Sequence, residues 1–304
     1  MSSEALRDAL VEVVWSLFTE LGAPGVVRHH QGIALDPEPI VVAAPSLFER
    51  DPRLRDQVYA WCASHAAHLS VCRLQGLSRD LPKPARRAFQ GLAATLRVHA
   101  KVRWPGSGEP SWAHAPEVKA RRLPMERPAL VRFRARALCG VGGRADVISE
   151  LIARPGGWTR ASDLTELGYS KRAMAGILSD LAEGGLAKQR VQGNALTFQI
   201  SHPEHLRKLL VTHDLRYPRW RLIVTAVLSF LDLANLEPAS ASVRRVEANT
   251  HREAFRQLAD EIGLDTPPVT RGNPEAWPEL MSWATRVAAQ LADGTSPALG
   301  AQSA

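Results

Sequence analysis

The sequence predicts a mainly α-helical protein with a minor β component. Apolar residues recur at three- and four-residue intervals over most of the chain, the spacing that gives a helix one apolar face. Strand-like runs are short and few, and the best two flank a single turn at residues 192–194. With 304 residues, 45% apolar and 23% charged, the chain has material for more than one core.

Residues 1–78 read as a small α+β unit. Leu6, Leu10, Val13, Val14, Leu17 and Leu21 share one helical face, and Gly22 and Pro24 end that helix. Two strand-like runs follow, Val26-Val27 and Ile40-Val41-Val42-Ala43, the second after the turn-prone Asp36-Pro37-Glu38-Pro39. Pro45-Ser46 then leads into a charged helix through Trp61 and Cys62.

Residues 79–139 read as a basic, proline-rich connector. Pro82, Pro84, Pro105, Pro110, Pro116, Pro124 and Pro128 interrupt regular structure, apart from a helix over 85–98, and a loop is expected from Lys101 to Pro128. Residues 79–136 hold 14 Lys/Arg against 4 Asp/Glu, although the whole chain carries only +7. Such a stretch is either a solvated linker or an electrostatic footprint for a polyanion. Arg132, Arg134 and Arg136 alternate with Val131, Phe133, Ala135 and Ala137, a strand-like period. The Ala, Leu and Arg content, with Pro128 near a first turn, favours helix instead.

Residues 140–203 carry the clearest signal. Ala145, Ile148, Leu151 and Ile152 form one helical face, which Pro155-Gly156-Gly157 breaks. Thr159 is placed to cap a short helix with Leu164 and Leu167, which Gly168 ends. Ser170 is a natural N-cap for a third helix, where Met174, Ile177, Leu178 and Leu181 form one core stripe. After Gly184-Gly185, the runs Leu186–Val191 and Ala195–Ile200 are joined at Gln192-Gly193-Asn194 as a hairpin. Three helices and a hairpin in this order are a winged helix-turn-helix.

Residues 168–200, GYSKRAMAGILSDLAEGGLAKQRVQGNALTFQI, also resemble the recognition helix and wing of MarR- and ArsR-type bacterial regulators. The likeness lies in the Ser that starts the helix, the aliphatic spacing, and the Gly-Leu step into the wing. It implies a transcriptional regulator that reads double-stranded DNA, bound as a homodimer because operators are two-fold. In such a domain the first turn of the third helix enters the major groove. Ser170, Lys171, Arg172 and Ala175, with Ser179 one turn on, would then meet base edges and phosphates. Lys188, Arg190, Gln192 and Asn194 would lie on the wing, and Arg160 near the DNA backbone.

A net charge of +1 over residues 137–200 is modest for a DNA reader. The competing reading is therefore an interaction or antitoxin-like subunit that docks a protein partner through the same domain. No effector ligand is legible. Neither is an enzyme: no Ser/His/Asp or Cys/His signature appears, and Gly140-Val141-Gly142-Gly143 lacks the Lys-Ser/Thr of a phosphate loop. His29-His30 and the His65/His68 pair near Cys62 lack a completing ligand set, so no metal or cofactor is expected. Cys62, Cys72 and Cys139 form no CxxC pair, which fits a reducing cytoplasm. The apolar run Leu222–Leu231 is too short to span a bilayer. Residues 204–292 read as a helical region whose apolar stripes offer a dimer interface, and 293–304 as a frayed tail.

Overall fold

The computed structural model describes residues 3–25, 29–106, 108–153, 156–210, 215–236, 240–269, 273 and 275–300. The run Val26-Val27 lies outside them. The chain opens with α1 (Ser3–Glu20), α2 (Pro37–Ala43), α3 (Pro52–His65), α4 (Val71–Asp80) and α5 (Lys83–Ala100). Then come α6 (Val131–Cys139), α7 (Gly143–Ala153), a 3₁₀ helix (Ala161–Leu167) and α8 (Lys171–Glu183). The hairpin β1 (Ala187–Gln192) and β2 (Ala195–Ile200) follows, then α9 (Pro203–Leu209), α10 (Trp220–Asn235), α11 (Ala241–Ile262) and α12 (Ala276–Ala292).

One large core joins both ends of the chain. α1 lies against α10 and α12, burying Leu10, Leu17 and Phe18 with Val227, Phe230, Val287 and Leu291. Phe230, Phe255 and Trp283 close its far side with ring centroids 5.0–5.6 Å apart. The apolar stripes of the C-terminal helices are thus used within the chain. Among the described residues, no helix is long and apolar enough to cross a membrane.

The N-terminal unit is helical, not α+β. Ile40–Ala43, read as a strand, belongs to α2. Pro37 at the first helical position presets φ, Asp36 precedes it in an extended conformation, and all seven α2 residues are buried. A helix buried on every side has no polar face, so its sequence looks like that of a buried strand.

Residues 79–139 are not a connector. α5 buries Phe89, Leu92, Ala93 and Leu96 in the large core. The irregular segment after it is pinned: Trp104 stacks on Phe89, Trp112 meets Phe48 and Tyr59, and Leu123 is buried. Gly91 permits this, because a Cβ there would stand 2.0 Å from Ser111 Oγ. The ambiguous segment at 131–139 is α6, as composition favoured. The expected tail is also packed through Gly300, with Ala298 and Leu299 buried, while 301–304 lie outside the described residues.

A second, small core is formed by α7, the 3₁₀ helix, α8 and the hairpin. Val147, Leu151, Leu164, Met174, Leu178, Leu181, Phe198 and Ile200 fill it. β1 pairs with β2 from Ala187↔Ile200 to Gln192↔Ala195, and Gly193 turns the chain with φ +62°. Thr159, expected as a cap, instead exchanges two hydrogen bonds with Phe198 (2.8 and 2.9 Å), extending β2 on its other edge. Arg160 takes the cap position, its backbone N–H donating to Asp163 Oδ2 at 2.8 Å.

Candidate nucleic-acid interface

The third helix of the small core is the one whose end is built to be presented. Ser170 Oγ accepts from Ala173 N at 3.2 Å, capping α8 as its sequence demands. Met174, Leu178 and Leu181 turn inward, which leaves Ser170, Lys171 and Arg172 exposed on the first turn and Ala175 and Ser179 half-buried beside them. Asp180, one turn from the C-terminus of α8, is paired with Arg144 at 3.2 Å.

Alternation puts Lys188, Arg190 and Gln192 on one face of β1, away from Ala187, and all three are exposed, as is Asn194 in the turn. Arg190 Nη2 donates to Gln192 Oε1 at 3.4 Å. The Arg190 guanidinium lies 4.0 Å from the centroid of the Trp158 ring. Sequence reasoning missed Trp158, because it sits outside the hairpin and reaches Arg190 only through the Thr159–Phe198 pairing. Arg160 is exposed at the start of the 3₁₀ helix. The candidate residues therefore form two groups, the leading turn of α8 and the outer face of β1, with Arg160 apart.

The leading turn of α8 is clamped from below. Arg73 Nε of α4 donates to Leu167 O at 2.5 Å, and a Cβ at Gly76 would stand 2.2 Å from Gly168 O. The Tyr169 hydroxyl donates to Asp146 Oδ2 at 2.8 Å and lies 2.9 Å from Ser70 Oγ, the N-cap of α4. Arg219, which precedes α10, pairs with Glu166. The helix bearing Lys171 and Arg172 is therefore set by contacts with the large helical body and not by its own core alone.

Behind this turn lies a buried ion cluster. Arg73 donates to Asp36 (2.7 and 2.5 Å) and to Glu38 Oε2 (2.6 Å). Arg136 binds Glu38 (Nη1–Oε1 2.7 Å) and Asp146 (2.9 and 3.1 Å), and gives a further bond to His68 O at 2.8 Å. Arg132 reaches Asp146 at 3.2 Å and Glu150, at the rim, at 2.8 Å. Three guanidinium groups thus face three fully buried or nearly buried carboxylates, and forked donors suit that geometry. Burial alone pushes Asp146 up, but Arg136, Arg73 and Arg132 hold it below the ordinary carboxylate value. Burial likewise opposes ionisation of Asp36, and Arg132 and Arg73 outweigh it. Burial, then the Asp146 charge, pushes the Tyr169 hydroxyl well up, so it stays a proton donor.

The basic stretch is partly consumed here. Arg132 and Arg136 are buried in the cluster, and Arg134 donates to the carbonyls of Leu210, Met125, Arg127 and Pro128. Arg127 holds the carbonyls of Thr19 and Glu20, both at 2.7 Å. These cations bind the chain to itself, so the charge count overstated what faces a partner. Among the histidines, His65 donates to Arg121 O at 2.9 Å and packs on Trp61. Among the described residues, His202, Glu204 and His205 alone bring three ligand-type atoms within 4.8 Å of one another, all on exposed side chains. No known protein family, characterised protein or solved structure matches the chain.

Proposed function

We propose that this chain is a DNA-binding transcriptional regulator in which residues 140–203 act as a winged helix-turn-helix on double-stranded DNA. The carrying observation is the first turn of α8, capped by Ser170 and presenting Lys171 and Arg172 outward while Met174, Leu178 and Leu181 are buried inside and Ile177 is half-buried at the edge. In this reading the first turn meets base edges, and Lys188, Arg190 and Asn194 of the hairpin meet phosphates. The protein works in the cytoplasm, without catalysis of its own, as a homodimer on a two-fold operator. Light scattering measures that stoichiometry, and a monomer at micromolar concentration removes it.

Arg172→Ala and Arg190→Ala test the two roles. Arg172→Ala is expected to lose about 1–3 kcal/mol of discrimination between specific and random DNA. Arg190→Ala is expected to weaken both DNAs alike and to shallow the log–log salt dependence by about one unit. If both variants keep their circular dichroism and their wild-type affinity, α8 does not read DNA.

Trp158→Ala separates the stack from the charge. Losing the ring frees Arg190 without removing its cation, so affinity is expected to fall about two- to fivefold, the equivalent of about 0.5–1 kcal/mol. The salt slope should stay as in wild type, and Trp158→Phe should restore part of the loss. A Trp158→Ala protein that binds like wild type shows that the stack does not prepare Arg190.

One observation favours the protein-docking alternative. Val191 and Leu196 face each other across the hairpin at 73% and 49% exposure. Absence of DNA binding even at low salt, with loss of partner binding in Val191→Asp, would put that reading first.

A further inference from the structure

α2, α4 and α10 do not close fully on one another. A pocket of about 140 Å³, open to solvent on one side, remains between them; Val42 of α2, Leu77 of α4, and Val224 and Leu228 of α10 form its buried apolar part, and the exposed Asp80–Arg221 ion pair lies at its mouth. The polar side chains around its mouth have their donors engaged, in part with one another. Arg221 donates to Asp80 Oδ2, Thr225 to Arg221 O and Ser229 to Thr225 O, each at 2.9 Å. The wall therefore carries no unpaired charge among these groups and no hydroxyl proton looking for an acceptor. A charged or strongly polar guest would lose its water without replacement bonds. A volume of about this size has room for a molecule as large as benzene.

The helices that bound the cavity are also the ones that hold the leading turn of α8. One turn before Val42, α2 delivers Glu38 to the ion cluster, where it binds Arg73 and Arg136. α4 sends Arg73 to Leu167 O and sets Gly76 against Gly168. Leu77 belongs to both places: it lines the cavity, and a Cβ added at Gly168 would stand 3.2 Å from its Cγ. A guest that displaces Leu77 presses on the turn from which α8 starts, because close-packed contacts transmit displacement.

We propose that this cavity binds a small, uncharged, apolar molecule of about one aromatic ring, and that its occupation resets the turn at 166–169 and with it the presentation of Lys171 and Arg172. The regulatory half rests on the DNA-binding reading; the binding half does not. Regulation requires the guest to prefer one of the two arrangements of that turn.

The test uses the full-length protein with labelled Leu and Val methyl groups and backbone amides, and benzene as the probe. Saturable shifts are expected at Val42, Leu77 and Leu228, together with shifts of the Leu167–Tyr169 amides. Filling the cavity by Ser229→Phe should abolish both; Thr225→Phe is the second plug should the first disturb the circular dichroism. Absence of saturable shifts, or shifts that survive the plugs, overturns the site. Shifts that stop at the cavity wall overturn the coupling. Benzene is further expected to change DNA affinity about fivefold or more in wild type and not in the plugged variant. Failure to bind any DNA, with the methyl shifts intact, would remove the DNA-binding reading and leave the site standing.

Discussion

Arg73→Ala is expected to lower the unfolding free energy by about 3–5 kcal/mol, the range for stripping one partner from a buried ion pair. Arg73 is fully buried and supplies two bonds to Asp36, one to Glu38 and one to Leu167 O. After truncation, the ion pair left to Asp36 among the described residues is the Arg132 Nε contact at 3.5 Å. The cluster then holds three buried carboxylates against two guanidinium groups. Against a typical total of about 5–15 kcal/mol, that loss can empty the folded state. Arg73→Lys should be nearly as harmful, because a single ammonium cannot fork onto Asp36 and still reach Leu167 O. The double variant Arg73→Met/Asp36→Leu should be less unstable than the sum of its singles, since it removes charge from both sides. Urea unfolding of wild type, Arg73→Ala, Arg73→Lys, Arg73→Met, Asp36→Leu and the double variant measures these differences. A loss below about 1 kcal/mol in Arg73→Ala would mean that the cluster does not hold the body and the small core together.

Acidification is expected to remove about 3 kcal/mol of stability between pH 6.5 and pH 4, chiefly through His30. This side chain is buried, with Nε2 2.9 Å from Ser16 Oγ, and Ser16 itself donates to Val13 O. Burial first, then the neighbouring charges of His29 and Arg216, lower it from 6.5 to about 4. The folded state therefore keeps His30 neutral where the unfolded chain already takes up a proton. The contribution is complete above pH 6.5, declines as the pH falls, and levels off below pH 4, where both states are protonated. At about 1.4 kcal/mol per pH unit, the gap gives the stated loss. Burial lowers His65 and His251 in the same direction, so a smaller residual slope belongs to them. Asp36 and Asp146, held down by their arginines, titrate below this window. His30→Gln should flatten most of the decline in urea midpoints between pH 7 and pH 4.5. An unchanged profile in that variant would assign the acid sensitivity to another group.

Much of the local architecture was legible because its determinants are neighbours in sequence. The stripe Met174–Leu181, the Ser170 cap and the 192–194 turn each specify an element within one or two turns of chain. The structure has α8 and the hairpin where those signals put them. The exposure of Lys171, Arg172, Lys188 and Arg190 follows from the same periodicities. Trp158 did not announce itself, since nothing near it in sequence calls for a cation on its ring.

What the sequence by itself determined, then, is where the helices and the hairpin begin, end and turn their apolar faces. Only the tertiary structure decided which charges are solvated. Asp36, Arg73, the Arg132/Arg136 pair of α6, and Asp146 come from four separate segments, and each reads as an ordinary surface charge beside its neighbours. Folding buries them together, where each is stable only because opposite charges stand 2.5–3.8 Å apart. The same long-range packing made a helix of Ile40–Ala43, turned a proline-rich linker into part of the body, and tied the first turn of α8 to α4. A short apolar run or a lone arginine has no preference strong enough to settle its own fate, so the contacts formed across the chain settle it.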